Sequence, residues 1–153
     1  AYTNTQNLID SYHKDKRRGR AANYSMIPTS TGSAKAIGAV IPELDGKLDA
    51  VAIRVPTINV SLLDFTFVPE KSADIATINQ IFKDYAVGRE NVFEISEAPL
   101  VSVDFNHNPC SCVVDIEQTR IVGNLIKVQA WYDNEWGFSN RMLDTAVSMQ
   151  QAK

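Results

Sequence analysis

The chain has 153 residues, of which 44% are hydrophobic and 22% charged, with a formal net charge of -3. This apolar content excludes a disordered chain and fits one globular domain. No apolar run approaches the roughly 18 residues of a membrane-spanning helix, and the mildly acidic balance gives no reason to expect a nucleic-acid partner.

The cysteines and the start of the chain bear on its compartment. Cys110 and Cys112 alone cannot build a disulfide framework, and with no second cysteine pair they are typical of half-buried strand residues rather than of metal ligands. The chain opens on Ala1 with neither Met nor a signal-like apolar segment. We therefore expect a reduced, cytoplasmic protein, and a chain that is a piece of something longer.

The first third of the chain is predicted as a long loop, a helix and two strands. Residues 1–30 are dense in charge and show no helical or strand period, which predicts a loop. A helix is expected to begin near Thr31 or Ser33 and to end or distort at Pro42. Strands are predicted at residues 50–55 and 60–68, joined as a hairpin or a short crossover.

The rest of the chain is predicted to contain two helices and four strands. Ser72 is predicted to begin the clearest helix, which Gly88 stops. Four more strands are predicted, at residues 101–105, 112–117, 118–122 and 125–132, and a last helix at about 139–150. Strands that follow one another with few helices between them predict an α+β fold, a mixed and largely antiparallel sheet with helices packed on one face.

Residues 14–20 form the strongest charge feature. Five basic side chains crowd this loop: Lys14, Lys16, Arg17, Arg18 and Arg20. A solvated loop surface is the ordinary interpretation of such a cluster. The alternative is an anion site, because the guanidinium group presents a fork of donors that matches phosphate oxygens.

Two further features point to anions. The run from Pro28 to Ser33 leads into a helix, where bare backbone N–H groups favour an anion and Gly32 allows one to approach, although a plain helix cap fits equally well. Arg54 lies in an apolar strand and needs an anionic partner, either a carboxylate of the protein or a ligand phosphate.

No catalytic motif is visible in the chain. G-x-G-x-x-G, G-x-x-x-x-G-K and H-E-x-x-H are all missing, and neither His13 nor His107 has a sequence-visible nucleophile beside it. The aromatic segment 131–138 contains Asp133 and Asn134 at a strand-to-helix turn, where a carboxamide can bind the edge of a ligand.

Together these motifs resemble the catalytic domain of the phosphorylating glyceraldehyde-3-phosphate dehydrogenase family, over nearly the whole chain. The matching segments occur in the family's order: Ala1-Tyr2-Thr3-Asn4, Ile27-Pro28-Thr29-Ser30-Thr31-Gly32, Pro42-Glu43-Leu44, Gly46-Lys47-Leu48, Arg54-Val55-Pro56-Thr57 and Trp131-Tyr132-Asp133-Asn134-Glu135-Trp136-Gly137. Residues 58–60, 103–109 and 140–145 look most like the bacterial erythrose-4-phosphate dehydrogenase branch.

The resemblance implies covalent catalysis in a larger parent protein. In the family a Cys thiolate attacks the aldehyde, a His acts as base, hydride passes to NAD, and phosphate or water cleaves the thioester. The segment with that Cys and the glycine-rich dinucleotide domain are not in residues 1–153, and the His would directly precede Ala1. The chain is therefore expected to be a catalytic domain that lacks its N-terminal Rossmann domain and its catalytic pair.

The resemblance also assigns binding residues. For the phosphate groups of the substrate and of inorganic phosphate or sulfate it implies Thr3, Arg18, Thr31, Gly32 and Arg54. Arg17 is the alternative to Arg18, because an Arg-Arg pair leaves the register open. Asn134 matches the residue that hydrogen-bonds the nicotinamide carboxamide of NAD. Residues 1–25 resemble the family's S-shaped loop, which packs between the subunits of a homotetramer.

Two functions are expected on this basis. The first is NAD-dependent oxidation of a phosphorylated aldehyde, with erythrose 4-phosphate preferred, a role in pyridoxine biosynthesis, and glyceraldehyde 3-phosphate as the alternative substrate. One extra carbon between aldehyde and phosphate changes a pocket little, so the sequence discriminates weakly between the two. The second is a non-catalytic domain that binds anions and self-associates.

Overall fold

A computed structural model describes residues 1–152 of the chain. The chain divides into two compact units, Ala1–Ile58 and Asn59–Lys153. No helix in the described part of the chain is both long and apolar enough to cross a membrane.

The first unit is built on a two-stranded antiparallel sheet. Strand β1 (Ile27–Ser30) pairs with β2 (Val51–Arg54), so that Ile27 lies opposite Arg54 and Ser30 opposite Val51. Helix α1 (Ser33–Val40) lies between them in sequence, and Pro42 starts a separate 3-10 turn that ends at Leu44. The helix was predicted to begin near Thr31 or Ser33 and to end or distort at Pro42, and it begins at Ser33 and ends at Val40.

The polar start of the chain is ordered by its own hydrogen bonds. The buried Gln6 side chain donates to the carbonyl oxygens of Arg18 at 3.3 Å and Arg20 at 2.8 Å, and Ala22 N–H donates to the Asn7 carbonyl at 2.9 Å. The prediction of a loop throughout residues 1–30 is wrong at its end, because β1 occupies its last four residues. Ile27 and Thr29 are buried while their neighbours are exposed, a strand period too short to notice beside Pro28.

The second unit is a four-stranded mixed sheet with strand order β3-β6-β5-β4. Its elements are β3 (Ser61–Phe67), α2 (Ile75–Ala86), β4 (Phe93–Ser96), β5 (Cys112–Val122), β6 (Leu125–Tyr132) and α3 (Trp136–Gln151). Only β4 and β5 run parallel, and the other two pairings are antiparallel. The predicted α+β class with a mixed, largely antiparallel sheet is confirmed.

Each face of this sheet carries its own apolar cluster. Helix α2 packs its buried Ile78 against Ile126 and Val128 on one face. Val113 points to the other face, where it meets Val60 and Phe105. The second cluster lies beside the segment that carries Asn134, and it holds the chain just before β3 in place.

Several predicted elements need correction. Strands β2 and β3 do not form a hairpin, since β2 pairs with β1 and β3 with β6. Residues 102–105 form a 3-10 turn rather than a strand, and the two strands predicted at 112–122 are one, with a register shift between Asp115 and Arg120. Helix α2 is capped by Asp74 rather than begun by Ser72, α3 starts three residues early, and β4 was not predicted.

Candidate functional site

Arg54 and Thr3 meet at one end of the two-stranded sheet. Tyr2 N–H donates to the Thr57 carbonyl at 2.9 Å, which holds the start of the chain alongside the end of β2. Arg54 Nη1 donates to Thr3 Oγ1 at 2.8 Å, and a second hydroxyl, that of Thr5, lies 3.0 Å from Thr3 Oγ1. One guanidinium group and two hydroxyls therefore form a compact set of donors.

The guanidinium group of Arg54 has no ionic partner within the described part of the chain. Among residues 1–152 no carboxylate forms an ion pair with it, and its Nε is buried without a hydrogen-bond partner. A buried donor on a cation normally has an acceptor, since leaving it unpaired costs about 1–3 kcal/mol or more. The sequence left two partners open for Arg54, a protein carboxylate or a ligand phosphate. The carboxylate is not found among residues 1–152, and the guanidinium group keeps a free donor that an anion could accept from.

The opposite end of the same strand pair leads into α1. Thr31 Oγ1 accepts from Ser33 N–H at 3.2 Å and lies 2.8 Å from the Ser33 hydroxyl, while Gly32, at the N-cap position, provides no side-chain cap. Apart from the adjoining residues, no described part of the chain comes within 4 Å of where a Cβ on Gly32 would be. The first turn of the helix is consequently open to solvent, with hydroxyls and the positive end of the helix dipole facing it.

Arg18 reaches this end of the sheet, and Arg17 does not. Arg18 Nη2 donates to the Ser30 carbonyl at 3.1 Å, next to Thr31, and its Nε lies 3.7 Å from the Asp15 carboxylate. Arg17 is exposed, and its backbone N–H is bonded to the same Asp15. Of the two arginines, Arg18 is therefore the one whose side chain lies beside the helix start, and its role as an anion ligand stays a prediction.

The candidate residues of the first unit fall into two groups. Arg54 is paired with Ile27, whereas Thr31 follows Ser30 at the other end of β1. Because a strand rises about 3.3 Å per residue, the backbones of Arg54 and Thr31 are separated by roughly 10 Å or more. Thr3 with Arg54 and Arg18 with Thr31 and Gly32 are thus two places that can each take an anion.

Asn134 lies in the second unit, on the turn between β6 and α3. Its side-chain oxygen accepts from the Ser61 hydroxyl at 3.2 Å, and the residue is half-buried. The neighbouring Asp133 is only 1% exposed and accepts four hydrogen bonds. Burial alone raises the pKa of Asp133, but the amides of Trp136 and His107 and the Asn59 side chain together lower it below its ordinary value.

Sequence reasoning missed three residues around these sites. Thr5 gave no clear signal, because a turn in which Gln6 N–H donates to the Thr3 carbonyl at 3.2 Å brings its hydroxyl to that of Thr3. Asp133 was noted only as part of a polar turn. Asn59 gave no local signal, since its partner Asp133 is 74 residues away.

The two cysteines have no catalytic geometry. Cys110 is buried and Cys112 half-buried, and both are free thiols. Burial first, and then the Glu94 carboxylate, raise the pKa of Cys110 to about 11, and burial followed by Cys110 raises the pKa of Cys112 to about 11. Within residues 1–152 no group of three His, Cys, Asp or Glu side chains could hold a metal ion.

Comparison with known proteins adds a family. A family model described as "Glyceraldehyde 3-phosphate dehydrogenase, C-terminal domain" matches residues 1–134. The chain is 56% identical over 154 residues to "Glyceraldehyde-3-phosphate dehydrogenase, chromosomal" of Cupriavidus necator, covering 100% of this chain and 46% of that protein. It is 51% identical over 153 residues to the protein named glyceraldehyde-3-phosphate dehydrogenase in Pseudomonas aeruginosa, with coverages of 100% and 46%. A Staphylococcus aureus protein, "Glyceraldehyde-3-phosphate dehydrogenase 2", is 53% identical over 147 residues, with coverages of 95% and 42%. The chain spans less than half the length of these relatives.

Proposed function

Because the chain belongs to the glyceraldehyde-3-phosphate dehydrogenase family, through that family's C-terminal domain, we propose that its protein oxidises a phosphorylated aldehyde with NAD. In this proposal the first unit of the chain binds the phosphate groups. The aldehyde chemistry belongs to a Cys–His pair, and most of the cofactor site to a dinucleotide domain, neither of which is found within residues 1–153.

The observation that carries the proposal is the incomplete hydrogen bonding of the Arg54 guanidinium group. It is a partly buried cation that has one hydroxyl partner, no carboxylate partner within residues 1–152, and a buried Nε–H with no acceptor. A phosphate dianion supplies acceptors in the fork geometry that a guanidinium group matches. We assign Arg54 and Thr3 to the phosphate of the substrate.

The second group of residues suits a second anion. Arg18, Thr31 and Gly32 lie at the open start of α1, at the other end of the strand pair from Arg54. A phosphorylating reaction needs two phosphates at once, one on the substrate and one that attacks the acyl intermediate. We assign this group to inorganic phosphate, for which sulfate is a substitute of similar shape and charge.

The contribution of this chain to NAD binding is one amide. NAD supplies hydride acceptance when bound, and its carboxamide both donates and accepts hydrogen bonds. Asn134 fits that group, because it is half-buried, its oxygen is held by the Ser61 hydroxyl, and an amide offers the complementary donor and acceptor. One such contact contributes on the order of 1 kcal/mol, so the remaining affinity would come from outside residues 1–153.

Two substrates remain candidates. The names of the three relatives, at 51–56% identity, support glyceraldehyde 3-phosphate. Residues 58–60, 103–109 and 140–145 resemble the erythrose-4-phosphate branch, which would place the protein in pyridoxine biosynthesis. We further propose a homotetramer, as in the family, and a cytoplasmic location, which the two free thiols support.

The test is steady-state kinetics of the natural full-length protein. We would measure NADH formation with glyceraldehyde 3-phosphate, with erythrose 4-phosphate, and with unphosphorylated glyceraldehyde as control. The proposal predicts turnover with at least one phosphorylated aldehyde and a kcat/KM roughly 30- to 150-fold lower for the control, since a charge-assisted phosphate contact contributes about 2–3 kcal/mol. Equal kcat/KM values with and without the phosphate would overturn it. Anion binding without NADH formation would favour the non-catalytic alternative.

A further inference from the structure

The Asp133 carboxylate is the centre of a hydrogen-bond network that surrounds Asn134. Its Oδ1 accepts from the backbone of Trp136 at 2.9 Å and of Glu135 at 3.3 Å, which caps the start of α3. Its Oδ2 accepts from the backbone of His107 at 2.9 Å and from Asn59 Nδ2 at 2.8 Å. Both oxygens of one buried carboxylate are therefore used to fix the turn on which Asn134 lies.

Two residues with strained backbone conformations lie in the segments that donate to the Asp133 carboxylate. Val60, directly after Asn59, has a φ of 69°, and His107 has a φ of 62°. A β-branched residue in this left-handed region is a genuine outlier, and such strain persists only where the surroundings determine it. Val60 is held in the apolar cluster on the sheet, and the centroids of the His107 and Trp136 rings are 5.0 Å apart. The strain thus places two donors opposite Asp133.

The segment Asn59–Ser61 contacts the turn at two points. Asn59 Nδ2 bonds Asp133, and the Ser61 hydroxyl bonds the side-chain oxygen of Asn134. Asn59 is itself oriented by Asn106, whose side-chain oxygen accepts from the same nitrogen at 2.7 Å. The short segment Asn59–Ser61 therefore hydrogen-bonds two consecutive residues of the turn, Asp133 and Asn134, which is more than capping the helix alone requires.

We propose that Asp133 and Asn59 are positioning residues that hold the Asn134 amide in the orientation needed by the nicotinamide carboxamide. The inference rests on the proposed function, in which Asn134 contacts that carboxamide. Neither residue would touch the cofactor. Both act by removing the rotational freedom of the Asn134 turn before NAD arrives, which reduces the ordering cost of binding.

The test uses the full-length protein and two dinucleotides. One is NAD, and the other is the analogue whose pyridine ring carries hydrogen in place of the carboxamide. Dissociation constants are measured by calorimetry for the wild type, Asn134→Ala, Asp133→Asn, Asn59→Ala and the double variant Asp133→Asn/Asn134→Ala. The control is Asp74→Asn, because Asp74 also caps a helix of this unit, accepting from Thr77 N–H at 2.7 Å, away from the turn.

The expected result is a loss that depends on the carboxamide. Asn134→Ala and Asp133→Asn should each raise the dissociation constant of NAD about fivefold to tenfold, and Asn59→Ala two- to threefold, with the analogue and the control unchanged. The double variant should bind NAD no more weakly than Asn134→Ala alone. If Asp133→Asn does not fold, Asn59→Ala carries the test.

Two other results would overturn the inference in different ways. If Asn134→Ala weakens NAD alone while Asp133→Asn and Asn59→Ala bind NAD like the wild type, or weaken NAD and the analogue equally, the positioning role is wrong and the cofactor contact stands. If Asn134→Ala leaves NAD affinity unchanged, the proposed cofactor contact is itself wrong, and the positioning role is overturned with it.

Discussion

Arg54→Met separates a ligand-binding arginine from a structural one. Methionine replaces the apolar stem of the side chain at about equal length and removes the guanidinium group. If Arg54 binds a ligand phosphate, the variant should lose affinity for phosphorylated ligands and little stability. If Arg54 were instead half of a buried ion pair, the variant would leave a buried carboxylate uncompensated, at a cost of about 3–5 kcal/mol.

The hydrogen bonds of Arg54 set the size of both effects. Without ligand, the variant loses the 2.8 Å bond to Thr3, which contributes about 1 kcal/mol, and removes the unpartnered Nε–H, whose burial costs about 1–3 kcal/mol. The two changes leave stability near that of the wild type or slightly above it. With substrate, the lost charge-assisted contact of about 2–3 kcal/mol corresponds to a roughly 30- to 150-fold higher KM.

The assay has a kinetic and a thermal part. KM for the phosphorylated aldehyde and for NAD are measured separately, together with the thermal midpoint in the presence and absence of phosphate. Arg20→Met is the matched control, because Arg20 is in the same unit but exposed, with a surface ion pair to Asp10 at 3.3 Å. The control should change neither KM. A midpoint of Arg54→Met many degrees below the wild type, with an unchanged substrate KM, would refute the assignment of Arg54.

Four further predictions concern the second anion group and the thiols. Gly32→Ala should leave the thermal midpoint within a degree or two, because the φ of Gly32 is -88° and, apart from the adjoining residues, no described atom lies within 4 Å of the new Cβ. The same variant should raise the KM for inorganic phosphate, and an unchanged KM would exclude an anion at that backbone. Arg18→Ala should raise the same KM about tenfold or more, whereas Arg17→Ala should not; the reverse order would show that the other arginine is the ligand. With pKa values of about 11, Cys110 and Cys112 should react negligibly with a disulfide reagent at pH 8 until the protein unfolds. The unfolded chain releases these thiol protons nearer pH 9, so the contribution of the two thiols to stability should decline between pH 9 and about 11. A free energy of unfolding that does not decline over this pH range would contradict the burial argument.

The sequence predicted the elements whose signals are local. Strand β6 was predicted with its observed bounds, and α1 and α2 within a few residues, because apolar periodicity and caps act over one or two turns. The predicted strand at 101–105 was wrong because the Asp104 carboxylate accepts from Val101 N–H at 2.8 Å, and that local bond stabilises a turn. The helix start at Trp136 was missed for the same reason, since Asp133 caps it from three residues upstream.

The residue types of the candidate site could be predicted from the sequence, but their arrangement could not. Arg54, Thr31 and Gly32 stood out because a cation in an apolar strand and hydroxyls before a helix each need a partner. Their separation depends on the register of β1 against β2, and β1 was not predicted. The left-handed Val60 had no sequence signal, because valine is among the residues least expected there.

The most direct measurement of the central claim is anomalous diffraction from crystals of the full-length protein grown with selenate, a phosphate substitute whose position is unambiguous. We expect an anomalous peak within hydrogen-bond distance of Arg54 Nε and Thr3 Oγ1, and a separate peak at the start of α1 beside Arg18 and Thr31. A guanidinium group of Arg54 paired with a carboxylate, with no peak beside it at a concentration that saturates phosphate binding in solution, would contradict the account.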